Sequence, residues 1–280
     1  MSARPLYTGG MRSLSPLIVF LCSLVAGSLL LGPGAQAQDD GPSKEQLEAA
    51  VARIEAALED RKLEGAVRGN ALRAETGLVH PLVIAAIAKG LGEREPLVID
   101  AAIECLGQMR HADALEALTK WGKRARKALE KDRERMVGWI KAVGRHQDPD
   151  TLDLLAKDAF DQDARDVLAA RIYAIANVHA KESVEVLMDL LTSTDARKVN
   201  QNFGALRPAL MRLTAVDQGN DPMAWTKWWR SEKRTFEVPR EPAVLPREDQ
   251  ARWDRFWGNE VRYERGQRRS RRGQDPEDDK

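Results

Sequence analysis

The sequence predicts an all-α fold, an α-solenoid of stacked antiparallel helix pairs, on three observations. The 280 residues are 43% hydrophobic and 31% charged but only 5% aromatic. Ala, Leu, Glu, Lys and Arg dominate, all good helix formers, and alternating runs of strand formers are almost absent. Apolar residues recur at spacings of three and four, the helical period. That pattern itself returns every 30-odd residues, which marks a chain of stacked supersecondary units.

The chain opens with the three parts of a secretory signal, assigned to residues 1–37. Arg4 and Arg12 form a basic start, residues 14–31 are apolar and uncharged, and Gly32-Pro33-Gly34 breaks any helix. Ala35-Gln36-Ala37 then gives a small-x-small cleavage site, with Ala35 and Ala37 as its recognition residues. An uncleaved anchor is the alternative, although residues 14–31 barely suffice to span a bilayer. Bulky Phe20 and Leu21 precede Cys22, which does not fit a lipoprotein box. The expected location is therefore periplasmic or extracellular, with no stable membrane insertion after cleavage.

Residues 38–59 are expected to hold an N-terminal helix, with Ser43 and Gln46 as its capping box. The repeats are assigned to residues 60–236. One unit runs Leu72-Arg73-Ala74-Glu75, then His80, Val83, Ile84 and Ile87. Its successors begin at Ile103, Ile140, Ile172 and Leu210, at offsets of 31, 37, 32 and 38 residues. In each, a small residue ends one helix, a polar turn follows, and a second amphipathic helix begins. Asp148-Pro149 and Asp221-Pro222 read as an N-cap followed by a first-turn proline. About five helix pairs result. No single pair of this size can bury its apolar face, so neighbours must stack.

This pattern resembles HEAT-like repeats of the phycobilisome-lyase type, as found in exported bacterial HEAT-repeat proteins. That family carries a run of the form Asp-Pro-x-Val-Arg-x-Ala-Ala followed by Ala-Leu-Gly. The nearest match is the stretch from Glu95-Pro96-Leu97-Val98-Ile99-Asp100-Ala101-Ala102 to Cys105-Leu106-Gly107. It departs at Glu95 and at Ile99, where the family has Arg. The terminal unit, with Asp217, Gly219, Asp221-Pro222, Trp225, Trp228 and Trp229, resembles the last repeat of such exported proteins. The resemblance implies a solenoid over roughly residues 60–236. The lyase activity of some relatives is not carried over, because no catalytic motif maps onto this chain.

Beyond the repeats, Pro239, Pro242 and Pro246 make residues 237–246 an extended linker. Residues 247–263 read as an amphipathic helix that folds back through Trp253, Phe256 and Trp257. Residues 264–280 read as a charged, disordered tail. Arg262, Arg265, Arg268, Arg269, Arg271 and Arg272 are candidate contacts to an anionic partner.

Four histidines, at 80, 111, 146 and 179, are spaced by 31, 35 and 33 residues and so track the repeat. Di-iron hydroxylases built from HEAT repeats use paired His-Glu motifs. Here Pro81, Ala112, Gln147 and Ala180 follow the histidines, so turn residues duplicated with the repeat are expected rather than a metal ladder. Asp217, Gly219 and Asp221 fail as a calcium loop, because Trp228 stands where a bidentate Glu is required. Cys105, the only cysteine after the signal, lies in an apolar run and reads as a buried small hydrophobe. The charged stretch 120–135, with Glu130, Asp132 and Glu134 interleaved among its basic residues, reads as the solvated face of one long helix. Trp225, Trp228 and Trp229 share one helix face and read as an aromatic plug at the end of the array.

The expected function is a non-catalytic interaction scaffold in the cell envelope that binds a protein or peptide on the solenoid surface, with no cofactor. The near-neutral charge of +1 argues against nucleic acid as a partner. Two alternatives stand beside it: an envelope-surface module that holds an anionic polymer or lipid through the arginine tail, and an enzyme whose site matches no recognised motif.

Overall fold

A computed structural model of the chain describes residues 41–157, 164–193 and 196–259. The signal segment with Ala35 and Ala37, and the tail with Arg262, Arg265, Arg268, Arg269, Arg271 and Arg272, lie outside the described residues. Those that are described are all-α, with no strand among them. The helices are α1 (Lys44–Glu59), α2 (Gly65–Ala74), α3 (Pro81–Lys89), α4 (Pro96–Gln108), α5 (Ala112–Leu129) and α6 (Arg133–Arg145). They continue with α7 (Leu152–Ala156), α8 (Arg165–Asn177), α9 (Lys181–Ser193), α10 (Ala196–Thr214), α11 (Pro222–Glu232) and α12 (Arg247–Trp257). Among the described residues no helix is long and apolar enough to cross a membrane.

Side chains on the preceding turns start several of these helices. Ser43 and Gln46 form the expected capping box of α1, with Gln46 N donating to Ser43 Oγ at 3.2 Å and Ser43 N to Gln46 Oε1 at 2.8 Å. Asp148 and Asp221 accept from Asp150 N and Met223 N, both at 2.9 Å. The acceptor is an imidazole at two other starts. His80 Nδ1 takes Leu82 N at 3.2 Å and His111 Nδ1 takes Asp113 N at 3.1 Å.

The charged stretch 120–135 is not one helix. α5 stops at Leu129, and Asp132, in an extended conformation, caps α6 by accepting from Arg135 N at 3.1 Å. Burial drives the break. Turning back lets Leu129, Met136 and Trp139 all reach the interior, and the Trp139 indole donates to Leu118 O at 3.0 Å.

α2, α4, α6, α8 and α10 pack side by side in chain order. The first four of them run parallel. Arg73 reaches Glu104, Arg135 reaches Asp100 and Arg133 reaches Asp166, which are offsets of 31, 35 and 33 residues. The same helices meet again near their other ends, where Gly107 touches Ala142 and Gly144 touches Ala174. Glycine is needed at both places because the neighbouring backbone leaves no room for a β-carbon. A second row joins α1 to α3 and α3 to α5, and then α7 to α9 and α9 to α11. Between the rows lies a continuous apolar core, with Leu72, Ile84, Ile87, Leu106, Ile140, Leu155 and Ile172 all fully buried. The second row is interrupted at the five-residue α7, and a cleft of about 500 Å³ opens between α5 and α7.

The proline-rich linker carries no helix over residues 236–246, but it is held in place. Ala243 N donates to Arg212 O at 2.9 Å, His179 Nε2 donates to Pro239 O at 2.5 Å, and Leu245 is buried. The linker delivers α12 onto the first row, where Trp253 and Phe256 pack edge-on against Tyr173 with ring centroids 5.5 and 5.2 Å away. The amphipathic pattern extends to residue 263, but Gly258 ends the helix after Trp257. Its φ of 77° is the left-handed conformation that closes a helix, and Asn259 N donates back to Asp254 O at 2.8 Å.

Candidate functional site

The residues singled out by sequence do not assemble into one centre. The four histidines occupy two kinds of position. His80 and His111 are N-caps, whereas His146 Nε2 donates to Leu106 O at 3.0 Å and His179 Nε2 bonds the linker at Pro239. A carbonyl can only accept, so the proton of His146 and His179 sits on Nε2. At His80 and His111 the accepting Nδ1 must be bare, which again leaves the proton on Nε2. Burial holds the His146 imidazolium below the usual histidine range. Nearby Arg110 adds to this, while the bond to Leu106 O and the charge of Asp148 oppose it.

Cys105 is 1% exposed, and burial pushes its thiol up. That is the chemistry of a packing residue rather than a nucleophile. Trp225 is fully buried and donates to Gly219 O at 3.0 Å, and Trp228 packs against Trp225, Trp229 and Phe236 with ring centroids 5.9, 5.8 and 5.8 Å apart. The trio closes the core beside α9 and α10. Asp217 is bound by Arg207 at 2.6 and 3.0 Å, and that contact holds its carboxyl below the usual range.

A different set of residues comes together on the row of parallel helices. A trough of about 410 Å³ runs between α4 and α6. At its amino-terminal end Arg135 is clamped by Asp100 and Asp132, each at 2.7 Å, and its guanidinium is raised above the usual value by the bond to Asp100. Glu134 lies exposed nearby. Towards the carboxyl-terminal end the balance reverses. Burial lowers both Lys141 and Arg145, and the carboxylate whose charge opposes this, Glu104, is bound to Arg73 at 2.8 Å.

Arg145 also lines a second, more polar cleft of about 350 Å³, roofed by α12. Arg110, Arg145 and Arg212 converge on it from three elements, together with Asn177, Trp253 and Trp257. Arg145 donates to Trp257 O at 3.1 Å, and Arg212 stacks over the Trp253 ring at 4.4 Å. Burial lowers the Arg212 guanidinium, with Asp254 opposing. Among the described residues no carboxylate pairs with any of the three arginines. Sequence reasoning missed this cluster because its members are 35 and 67 residues apart and sit at helix ends, where a lone arginine is ordinary. Chemically the cleft offers guanidinium donors and aromatic walls, the equipment for holding an anion rather than for acid–base or nucleophilic work.

Compared with known proteins, the chain matches no family model, and no characterised protein shows significant sequence similarity to it.

Proposed function

We propose that this chain is a non-catalytic interaction scaffold of the cell envelope, a HEAT-like α-solenoid that binds a protein or peptide along its row of parallel helices. The observation that carries the reading is the regular succession of α2, α4, α6 and α8, tied at offsets of 31, 35 and 33 residues. Helices stacked at a constant step present one extended face, and stacked-repeat proteins use such faces for binding. The export signal at residues 1–37 supports the envelope location. Two apolar side chains on the early part of the face, Val67 on α2 and Leu97 on α4, are about half exposed at 49% and 51%. They are natural first contacts for a partner.

Affinity capture from an envelope extract tests this, with the full chain, a V67D/L97D variant and a chain lacking residues 262–280 as baits. A discrete protein held at high salt by the full chain and by the shortened chain, and lost by V67D/L97D, is the expected result. Capture that requires residues 262–280 and vanishes in salt would move the function to the arginine tail. Turnover of an envelope substrate by the chain would overturn the scaffold reading and make it an enzyme.

A further inference from the structure

We propose that the cleft among Arg110, Arg145 and Arg212 is a carboxylate-binding site that anchors an acidic peptide segment, whose remainder lies along the α4–α6 trough. The proposal rests on the scaffold reading above and names the chemistry of its partner.

Three guanidiniums meet in a polar cleft of about 350 Å³, and Lys141 stands in the adjoining trough. The carboxylate whose charge acts on Lys141 and Arg145 is Glu104, engaged by Arg73, and the one that acts on Arg212 is Asp254, which accepts from Gln250 Nε2 at 2.9 Å. Neither touches the three arginines. Desolvated positive charge without a counter-ion is costly, and a ligand that brings the counter-ion relieves that cost.

Helix ends offer a competing explanation. The cleft lies at the carboxyl-terminal ends of α4, α6, α8, α10 and α12, and free carbonyls attract arginines there. This accounts for one of the three, Arg145, which bonds Trp257 O. The Gly144 carbonyl is already taken by the Asn177 amide at 3.0 Å. Arg110 and Arg212 donate to no carbonyl among the described residues. Five helix ends amount to roughly two and a half units of negative charge at most, so three guanidiniums and Lys141 leave the cleft positive.

The walls add two features. Trp257, itself buried, has an indole N–H with no acceptor among the described residues, and such donors are rare in folded proteins. The Trp253 ring supports the Arg212 guanidinium, 4.4 Å from the ring centroid, which restricts its movement before a ligand arrives. A peptide fits better than a small ion because Arg145 belongs to both the cleft and the trough. The trough is long enough to take neighbouring residues, and its far end, at Glu134, has the opposite charge. The favoured ligand is therefore acidic at one end only.

Calorimetric titration of the full chain tests the site with hexapeptides of three glutamates and three glutamines in both orders, a hexaglutamine peptide and inorganic phosphate as probes. One of the half-acidic peptides is expected to bind saturably and hexaglutamine not to bind. Arg110→Glu reverses an exposed charge with no ion-pair partner among the described residues. It should weaken the half-acidic peptide by about tenfold or more without moving the unfolding midpoint. Undiminished binding to Arg110→Glu, or no binding of either half-acidic peptide, overturns the proposal. Phosphate binding as tight as the peptide also overturns it, because the cleft would then be a small-oxyanion site. None of these results touches the V67D/L97D capture experiment, so the scaffold reading stands or falls separately.

Discussion

Gly107 on α4 and Ala142 on α6 meet with no space for another atom: a β-carbon on Gly107 would lie 2.6 Å from the Ala142 Cα and 2.7 Å from its Cβ. The obstacle is backbone, so it cannot rotate away. Gly107→Ala should cost about 1–2 kcal/mol net, because overpacking strain exceeds the gain in helix propensity. Gly138→Ala, on α6 with nothing within 4 Å, should instead stabilise by roughly up to 1 kcal/mol. Urea unfolding of the two variants checks the opposite signs.

Arg68 ties three elements together from a buried position. Its guanidinium donates to Ala57 O at 3.1 Å, Leu58 O at 2.7 Å and Glu93 at 2.7 Å. It therefore closes the end of α1 and pairs with the turn before α4. Arg68→Ala leaves two carbonyls and a carboxylate without their donor and should destabilise by about 3–5 kcal/mol in denaturant unfolding. Arg68→Lys keeps the charge but not the fork, and should fall between the two.

His146 should make stability fall in mild acid. Burial holds its folded pKa below the usual histidine value. The unfolded imidazole, with a pKa of about 6.5, therefore takes up its proton first as pH drops. The contribution is complete above that value and is lost as pH falls through the folded pKa below it. The denaturant midpoint should drop between neutral pH and about pH 5, and His146→Gln should flatten that slope.

Trp253 holds α12 to the body between Tyr173 and Arg212. Trp253→Ala should cost about 3–5 kcal/mol. Loss of docking should also free the linker, so trypsin should cleave faster after the exposed Arg240. Timed digestion of variant and parent separates local release from global unfolding.

How much of this was legible in the sequence follows from which interactions are local. The capping box at Ser43 and Gln46, the caps at Asp148 and Asp221, and the burial of Cys105 and Trp225 depend on near neighbours or on apolar periodicity, and all were readable. The break at residues 130–132 was not. Glu130 and Lys131 favour helix, and only the need of Leu129 and Met136 to reach one interior turns the chain there. The imidazole caps at His80 and His111 were missed because histidine is not among the preferred capping residues. The arginine cleft was invisible for a different reason: Arg110, Arg145 and Arg212 are brought together by the stacking of α4, α6 and α10, and no local pattern records that step.

The docked C-terminal helix bears on how the array comes apart. In a linear array each unit leans only on its neighbours, so ends fray and the interior outlasts them. Here α12 grips Gly144 and Arg145 on α6, Tyr173 on α8 and Arg212 on α10 at once. Such a clasp turns three separable rungs into one mechanical block. Hydrogen exchange in α6, α8 and α10 should then share a single opening step, and the first rungs to let go should be those at the other end of the ladder, near α1.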